Sequence, residues 1–232
     1  EIKLEDTQLP MECTVFAVGS GYSDRGFDGS LDELRISSVN RFENLTVGPI
    51  DITDPYQSAD YNTIALFHFD EGHGTVAYGD SSNGDSMYEL SFDSTGENWQ
   101  SGMDGFDKAL NFEGMPGQTG ATLTSTSENI SLICPQSTVE CWVKVNSYSW
   151  DGFAFIARTS YSAGSISWLI QAVDDGRLRY TWRTPSGWGP FLISSNNLVP
   201  GQWHHIVIVR HIDPNFTSPS YGDIYAAMYI DS

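Results

Sequence analysis

Short segments in which apolar and polar residues alternate occur along most of the chain. A period of two puts successive side chains on opposite faces of a strand, so that Val139 and Cys141 share one face and Glu140 and Trp142 the other. The clearest segments are Thr138–Val145, Gly152–Ala157, Ile166–Val173, Arg177–Trp182, Trp203–His211 and Ile224–Ile230. Further strands are predicted at Thr14–Gly19, Leu31–Ser37, Ile64–Asp70, Tyr88–Phe92, Ala109–Phe112 and Ala121–Thr124.

Turn-forming residues separate these segments, for example at 79–85 and at 184–187. No stretch carries an apolar stripe with the 3.6-residue period of a helix over three turns. Many short strands at this spacing predict an all-β fold, an antiparallel two-sheet sandwich or jelly roll.

The stretch 44–62 has the composition of a linker, because it contains Pro49, Pro55, Gly48 and several aspartates with little alternation. It divides the chain into a short strand-rich piece, 1–43, and a long one, 63–232. A piece of 43 residues is too small to bury its own core, so we expect 1–43 to pack against another part of the assembly.

Charge excludes several classes of partner. Asp and Glu outnumber Lys and Arg 30 to 11, giving a net charge of -19. This balance excludes the basic footprint of a nucleic-acid-binding protein and argues against binding to anionic membrane surfaces. No apolar run approaches the roughly 18 residues of a membrane-spanning helix, so we expect no membrane span. The acidity suits a surface in saline surroundings, or one that holds divalent cations.

Glycosylation signals favour an extracellular or cell-surface setting. N-glycosylation triplets begin at Asn44, Asn129 and Asn215, and the first residue is Glu rather than Met, which predicts a processed or excerpted chain. The three cysteines, Cys13, Cys134 and Cys141, allow one disulfide with a free thiol or a fully reduced set, and the sequence leaves the pairing open.

Several motifs, in this order and spacing, resemble the laminin-G-like, concanavalin A-like family of lectins and glucanases. They are Ile64–Gly72, Asp80–Gly84, Trp99–Gly114, Thr138–Lys144, Trp203–Val207 and Met228–Asp231. The first resembles the opening strand of the family's jelly roll, the fourth its central strand and the last two its late hairpin. The resemblance covers most of 63–232 and implies a jelly-roll fold.

The family's closing pattern stands before the opening strand. An apolar-Gly strand end at Val18-Gly19 is followed by the run Phe27–Ile36, which reads FDGSLDELRI. Three arrangements explain this order: a circularly permuted domain, a window cut from an array of near-identical repeats, or a strand that completes a neighbouring copy. Each requires the surface left open by the missing strands to be covered, by this chain or by another copy of it.

The resemblance also implies a structural Ca²⁺, because many relatives hold calcium where the opening and closing strands lie side by side. Mapped onto this sequence, the ligands would be Asp70 and the Gly72 carbonyl with Asp28 or Asp32. Carboxylates and loop carbonyls are the hard oxygen ligands that Ca²⁺ prefers. The alternative is that these aspartates are solvated turn residues that cap their own backbone.

Exposed aromatic residues are candidates for stacking on sugar rings. Trp150, Trp182 and Trp188 lie in predicted loops or on polar strand faces, and Trp188 stands between two glycines. The alternative is core packing, which Trp142 and Trp168 are expected to show.

Catalysis is not expected. Glucanases of this fold use a Glu-x-Asp-x-x-Glu strand, and the nearest run, 28–33, lacks the leading Glu and the spacing. Within it, Asp32 and Glu33 would point to opposite faces of a strand. The sequence therefore predicts a non-catalytic extracellular module, one repeat or subunit of an adhesive, cell-surface or filament-forming protein that shares strands between copies. The alternative is a carbohydrate-binding module of a glycoside hydrolase or a lectin-like protein.

Overall fold

The computed structural model describes residues 2–4, 15–19, 26–42, 58–81, 88–92, 97–114, 120–123, 136–148, 153–160, 165–184, 187–212 and 224–231. These residues form sixteen strands. The strands are β1 (Ile2–Leu4), β2 (Val15–Val18), β3 (Asp28–Ser37), β4 (Thr63–Phe67), β5 (Val76–Asp80), β6 (Tyr88–Ser91), β7 (Glu97–Ser101), β8 (Lys108–Glu113), β9 (Ala121–Leu123), β10 (Ser137–Val145), β11 (Phe153–Ser160), β12 (Ser165–Ala172), β13 (Arg177–Thr184), β14 (Gly187–Asn197), β15 (Trp203–Ile212) and β16 (Ile224–Ile230).

Neighbouring strands pair antiparallel in the order β1-β16-β15-β10-β3-β4-β5-β6-β9-β2-β11-β12-β13-β14, with β8 on β3 and β7 on β8. β14 also lies close to β16 and β1, so the sheet curls back on itself and encloses a core. This confirms the predicted all-β, antiparallel jelly-roll sandwich. Within the described part of the chain, no helix is long and apolar enough to span a membrane.

Strand β3, from the short N-terminal piece, lies in the middle of one sheet. One edge pairs with β10, from Val145 opposite Gly29 to Thr138 opposite Ser37. The other edge pairs with β8 through its first half and with β4 through its second half. The strand that resembles the family's closing strand is therefore flanked by β4, β8 and β10 of the same chain.

The core explains why β3 occupies this place. Its side chains Leu31, Leu34 and Ile36 are completely buried, and they join Phe67 and Phe112 of the flanking strands in one apolar cluster. Burying a Leu or Ile side chain contributes about 1.5–3 kcal/mol each. A sheet without β3 would expose this surface and two long unpaired strand edges.

A β-bulge interrupts the alternation of β3. The register with β10 shifts between Glu140 and Trp142, so β3 contains an extra residue there, and Glu33 has a φ of 49°. The bulge puts Asp32 and Glu33 close enough for the charge of one to act on the other. Strict alternation does not hold across a bulge, so the expectation that Asp32 and Glu33 point to opposite faces stays a prediction.

The second face of the central strands is buried as well. Arg35 binds Glu140, with 2.6 Å between Arg35 Nε and Glu140 Oε1, and Glu140 Oε2 lies 3.8 Å from His205 Nε2. Glu140 and His205 are each 1% exposed. Burial and the nearby Arg35 cation lower the pKa of His205 to about 4, so it is neutral at pH 7.

Some strands were not predicted from the sequence. β7 and β14 contain several Gly, Asn, Ser or Pro residues, and β5 runs into a segment that composition marks as a turn. In β14 the pairing with β13 shifts register twice, so the sequence lacks a continuous period of two. These strands form because their neighbours supply hydrogen-bonding edges, which is a tertiary effect.

Candidate metal site

The candidate site lies where β3, β4 and the β7–β8 turn meet. Asp32 is on β3, and Asp70 follows β4 by three residues. The amide of Lys108, the first residue of β8, donates a hydrogen bond of 2.9 Å to Asp70 Oδ1. Because β4 and β8 both pair with β3, the topology brings the two aspartates together from distant parts of the sequence.

Asp32 is a buried carboxylate whose charge is only partly compensated. It has no exposed surface, and neither carboxylate oxygen has a hydrogen-bond partner of good geometry. Burial raises the pKa of Asp32 to about 8, with further contributions from the negative charges of Glu33 and Asp70. Nearby backbone N–H groups of Met103 and Glu33 offset only part of this effect. A buried charge of this kind is costly unless a cation or a proton neutralises it.

Gly102 allows the β7–β8 turn to close over Asp32. A Cβ atom at this position would lie 2.7 Å from Asp32 Oδ2 and 2.9 Å from the Lys108 carbonyl oxygen. Only glycine lets the backbone of the turn lie this close to the Asp32 carboxylate without moving either of them.

Two further residues of the predicted calcium set occupy different places. Gly72 is exposed, and its Cα lies against the aliphatic part of Lys108, next to Asp70 in the chain. Asp28 accepts hydrogen bonds from Asn146 Nδ2, at 3.1 Å, and from the Ser147 hydroxyl. It lies four residues from Asp32 along β3, about 13 Å away in an extended strand. The structure thus brings Asp32 and Asp70 close enough for their charges to interact, and it places Asp28 apart.

Other acidic residues lie near Asp32 and Asp70. Both Glu33 oxygens lie within 3.0 Å of His68 Nδ1, and this contact raises the pKa of His68. Glu71 accepts the Tyr78 amide with one oxygen, whereas the other is buried without a partner, and burial raises its pKa. Sequence reasoning did not find the His68–Glu33 pair, because the bulge that creates it has no sequence signal.

The donor set fits a hard cation. Among the described residues no group of three or more His, Cys, Asp and Glu side chains is placed to hold a metal, so an ion held by Asp32 and Asp70 would need backbone and water oxygens as its other ligands. Ca²⁺ takes about six to eight oxygen ligands, which include backbone carbonyls and water as well as carboxylates. The orphaned oxygens of Asp32 are the observation that supports this fit.

The sugar-binding candidates are only partly described. Position 182 on β13 lies opposite Trp168, a core residue, and position 188 on β14 lies opposite Arg183. Trp150 lies outside the described residues, as do the three sequons at Asn44, Asn129 and Asn215, and Cys13 and Cys134. Cys141 is buried with a free thiol.

The antiparallel curled sheet with a continuous apolar core defines a jelly-roll sandwich, the class to which the fold belongs. Residues 117–225 match the laminin-G-type family model described as the concanavalin A-like lectin/glucanases superfamily. The match runs from just before β9 into β16, and within this stretch it agrees with the resemblance that the sequence motifs indicated. No curated protein and no solved structure matches the chain.

Proposed function

We propose that the protein is a non-catalytic, extracellular jelly-roll module, one repeat or subunit of a larger adhesive, cell-surface or filament-forming protein. The position of β3 carries the proposal, because a strand from the N-terminal piece of the chain closes the middle of the sheet. Such a strand is an obligatory part of the sandwich, whether its own chain or an adjacent copy provides it.

The strand pairing within the chain is compatible with sharing between copies. β1 pairs antiparallel with β16, so the first and last described strands lie side by side, with Ile2 opposite Ala226. The stretch 44–62 connects β3 to β4, and exchange of the strands before it between identical copies would preserve every register. The proposal is therefore that copies of this module associate by exchanging their N-terminal strands.

Sedimentation of the full chain tests this proposal. Strand exchange predicts dimers or longer species, with mass rising with protein concentration and after partial unfolding and refolding. Two isotopically distinct preparations should then form mixed species. A monomer that never forms mixed species under these conditions would remove strand sharing and leave a self-contained module.

The buried acids support the non-catalytic part of the proposal. Asp32 and Glu33, the nearest counterparts of a glucanase acid pair, are 0% and 1% exposed. General acid and nucleophile carboxylates must contact the glycosidic bond, and side chains buried to this extent do not. Incubation with mixed-linkage and linear β-glucans should give no new reducing ends, and turnover of any of them would overturn this part.

We further propose that Asp32 and Asp70 bind a structural Ca²⁺, with the Gly72 carbonyl as a backbone ligand. Support comes from the two unpartnered oxygens of Asp32 and from the charge of Asp70 beside them. The ion would tie β3 to the segment that follows β4, and so hold the closing strand against the opening strand. Its chemistry would be structural, because the site has no exposed face on Asp32.

Carbohydrate binding is the second candidate. The superfamily's printed description includes lectins. On β14 the ring of Phe191 is 56% exposed and lies opposite Thr181, near positions 182 and 188. A glycan array should show binding that Trp188→Ala or Trp182→Ala removes. Tyr61→Ala is the control, because it replaces an aromatic residue that is 88% exposed. Absence of binding to every glycan would remove this candidate.

A further inference from the structure

Both ring nitrogens of His204 are hydrogen-bonded, and the two contacts fix where its proton lies. The Val199 amide donates a hydrogen bond of 2.8 Å to His204 Nε2, so this nitrogen carries no proton. His204 Nδ1 lies 2.6 Å from Asp231 Oδ2, and an ionised carboxylate can only accept, so Nδ1 carries the proton. This structure therefore requires a neutral His204 ring, in the Nδ1–H form.

The two partners of His204 belong to different parts of the fold. Asp231 follows the last residue of β16, where its amide donates to the His205 carbonyl oxygen and its Oδ1 accepts the His205 amide, each at 2.9 Å. Val199 lies in the β14–β15 turn, residues 198–202. From its place near the start of β15, the His204 ring, which is 6% exposed, thus ties this turn to the end of β16.

A second proton on His204 is incompatible with the Val199 contact. It would occupy Nε2 and turn that nitrogen into a donor, which would face the Val199 N–H at 2.8 Å without an acceptor between them. The Asp231 contact would become stronger, because the ring and the carboxylate would then carry opposite charges. Proton uptake should therefore release the turn and leave the end of β16 in place.

Two other hydrogen bonds that hold the turn do not respond to acid in this way. The Gly201 amide donates to the Val145 carbonyl oxygen at 2.7 Å, and the Tyr148 hydroxyl donates to the Leu198 carbonyl oxygen. Burial raises the pKa of Tyr148, so its hydroxyl keeps its proton from neutral pH downward. Release of the turn should therefore begin at Val199.

The charge beside His204 has the sign that accommodates an imidazolium. Asp231 faces the ring from the end of β16, and on β10 the ring's strand neighbour is the apolar Val143. The turn 198–202 has no ionisable side chain. The titratable neighbours of Val143 and His204 along their own strands are Lys144 and His205, which strand alternation puts on the opposite face.

We propose that His204 is a proton-operated latch for the β14–β15 turn: the neutral ring holds the turn, and the doubly protonated ring releases it. Leu198 in this turn is 1% exposed and belongs to the apolar cluster, so release would open one end of the core to solvent. The turn also holds the end of β14, the last strand in the sheet order. The latch operates whether or not the module exchanges strands or binds a glycan.

NMR of the full chain with ¹⁵N-labelled histidines tests the latch. At pH 7.5 the His204 ring should have its proton on Nδ1, and a proton on Nε2 instead would overturn the proposal. As pH is lowered to 4.5 the ring should take up its second proton. In the same step the protection factor of the Val199 amide against hydrogen exchange should fall about tenfold, whereas those of 206–209 on β15 should stay.

Two variants separate the latch from a general effect of acid. His204→Gln does not change charge in this pH range, so its Val199 amide should be equally protected at pH 7.5 and pH 4.5. His73→Gln is the matched control, because it replaces an exposed histidine that contacts the Glu71 carbonyl, and it should keep the tenfold change. An equal response of both variants would overturn the proposal.

The parent chain alone also decides the question, should His204→Gln fail to fold. A His204 ring that stays neutral down to pH 4.5 would overturn the latch. So would a Val199 amide that keeps its protection after the ring has become charged.

Discussion

Asp32→Asn tests the candidate metal site most sharply, because its effect should change sign with calcium. In the unfolded chain the carboxyl loses its proton near pH 3.8, whereas the folded pKa of Asp32 is about 8. Without a cation, stability therefore falls as pH rises from 3.8 and stops falling above 8. At pH 7 the Asp32 carboxyl is ionised in the unfolded chain and has to take up a proton on folding. This lowers the free energy of unfolding by about 4 kcal/mol.

The amide variant removes the charge but leaves a buried polar group, which costs about 1–3 kcal/mol without partners. In chelator we therefore expect Asp32→Asn to unfold at a Tm several degrees higher than the parent chain, at about 2–4 °C per kcal/mol. In millimolar calcium the order should reverse, because the parent chain gains the binding energy of the ion and the variant does not.

Asp28→Asn is the matched control, since Asp28 lies on the same strand but binds Asn146 and Ser147 instead. It should unfold earlier than the parent chain in both conditions and keep the full calcium response. Differential scanning calorimetry in chelator and in calcium, at pH 5 and pH 8, measures both effects. A calcium response that Asp28→Asn loses and Asp32→Asn keeps would refute the site, and a parent chain insensitive to calcium would refute the metal.

Three further predictions concern the buried residues. His205 has a pKa of about 4 in the folded chain and 6.5 in the unfolded chain. The free energy of unfolding should therefore fall by about 3 kcal/mol as pH falls from 6.5 towards 4. Urea titrations should show this loss in the parent chain and a smaller loss in His205→Gln. Glu33 is the main cause of the raised pKa of His68. The stabilising contribution of the His68–Glu33 pair is therefore present below pH 6.5 and disappears as pH rises through the pKa of His68 in the folded chain. A ¹H–¹⁵N NMR titration should show the raised pKa, and Glu33→Gln should abolish the shift. Leu31→Ala should cost about 2–5 kcal/mol in urea unfolding, whereas Tyr61→Ala, at an exposed side chain, should change stability by less than about 0.5 kcal/mol; similar effects of the two would contradict the buried position of β3.

Strand alternation predicted the fold well because both faces of a strand leave a signal of period two. Each of the six clearest alternating segments overlaps a strand, and β10 and β15 run almost as expected. The pattern was less informative where a face carries small polar residues, as in β14, or where an irregularity shifts the register. Local propensity contains no information about such tertiary effects.

The candidate site was predictable in part. Asp32 and Asp70 follow from the resemblance of β3 and β4 to closing and opening strands. Asp32, and not Asp28, lies near Asp70 because the second half of β3 pairs with β4 and the first half pairs with β8. This register cannot be read from the sequence. The bulge at Glu33 and the approach of Gly102 are equally tertiary, since both depend on contacts with strands far away in the sequence.

Hydrogen exchange of the native chain tests the central claim, that an N-terminal strand closes the middle of the sandwich. The amides of 30–37 should exchange as slowly as those of 138–145 on β10, because both strands are hydrogen-bonded on two edges within the core. Exchange of 30–37 within seconds, alongside slow exchange of 138–145, would contradict the account.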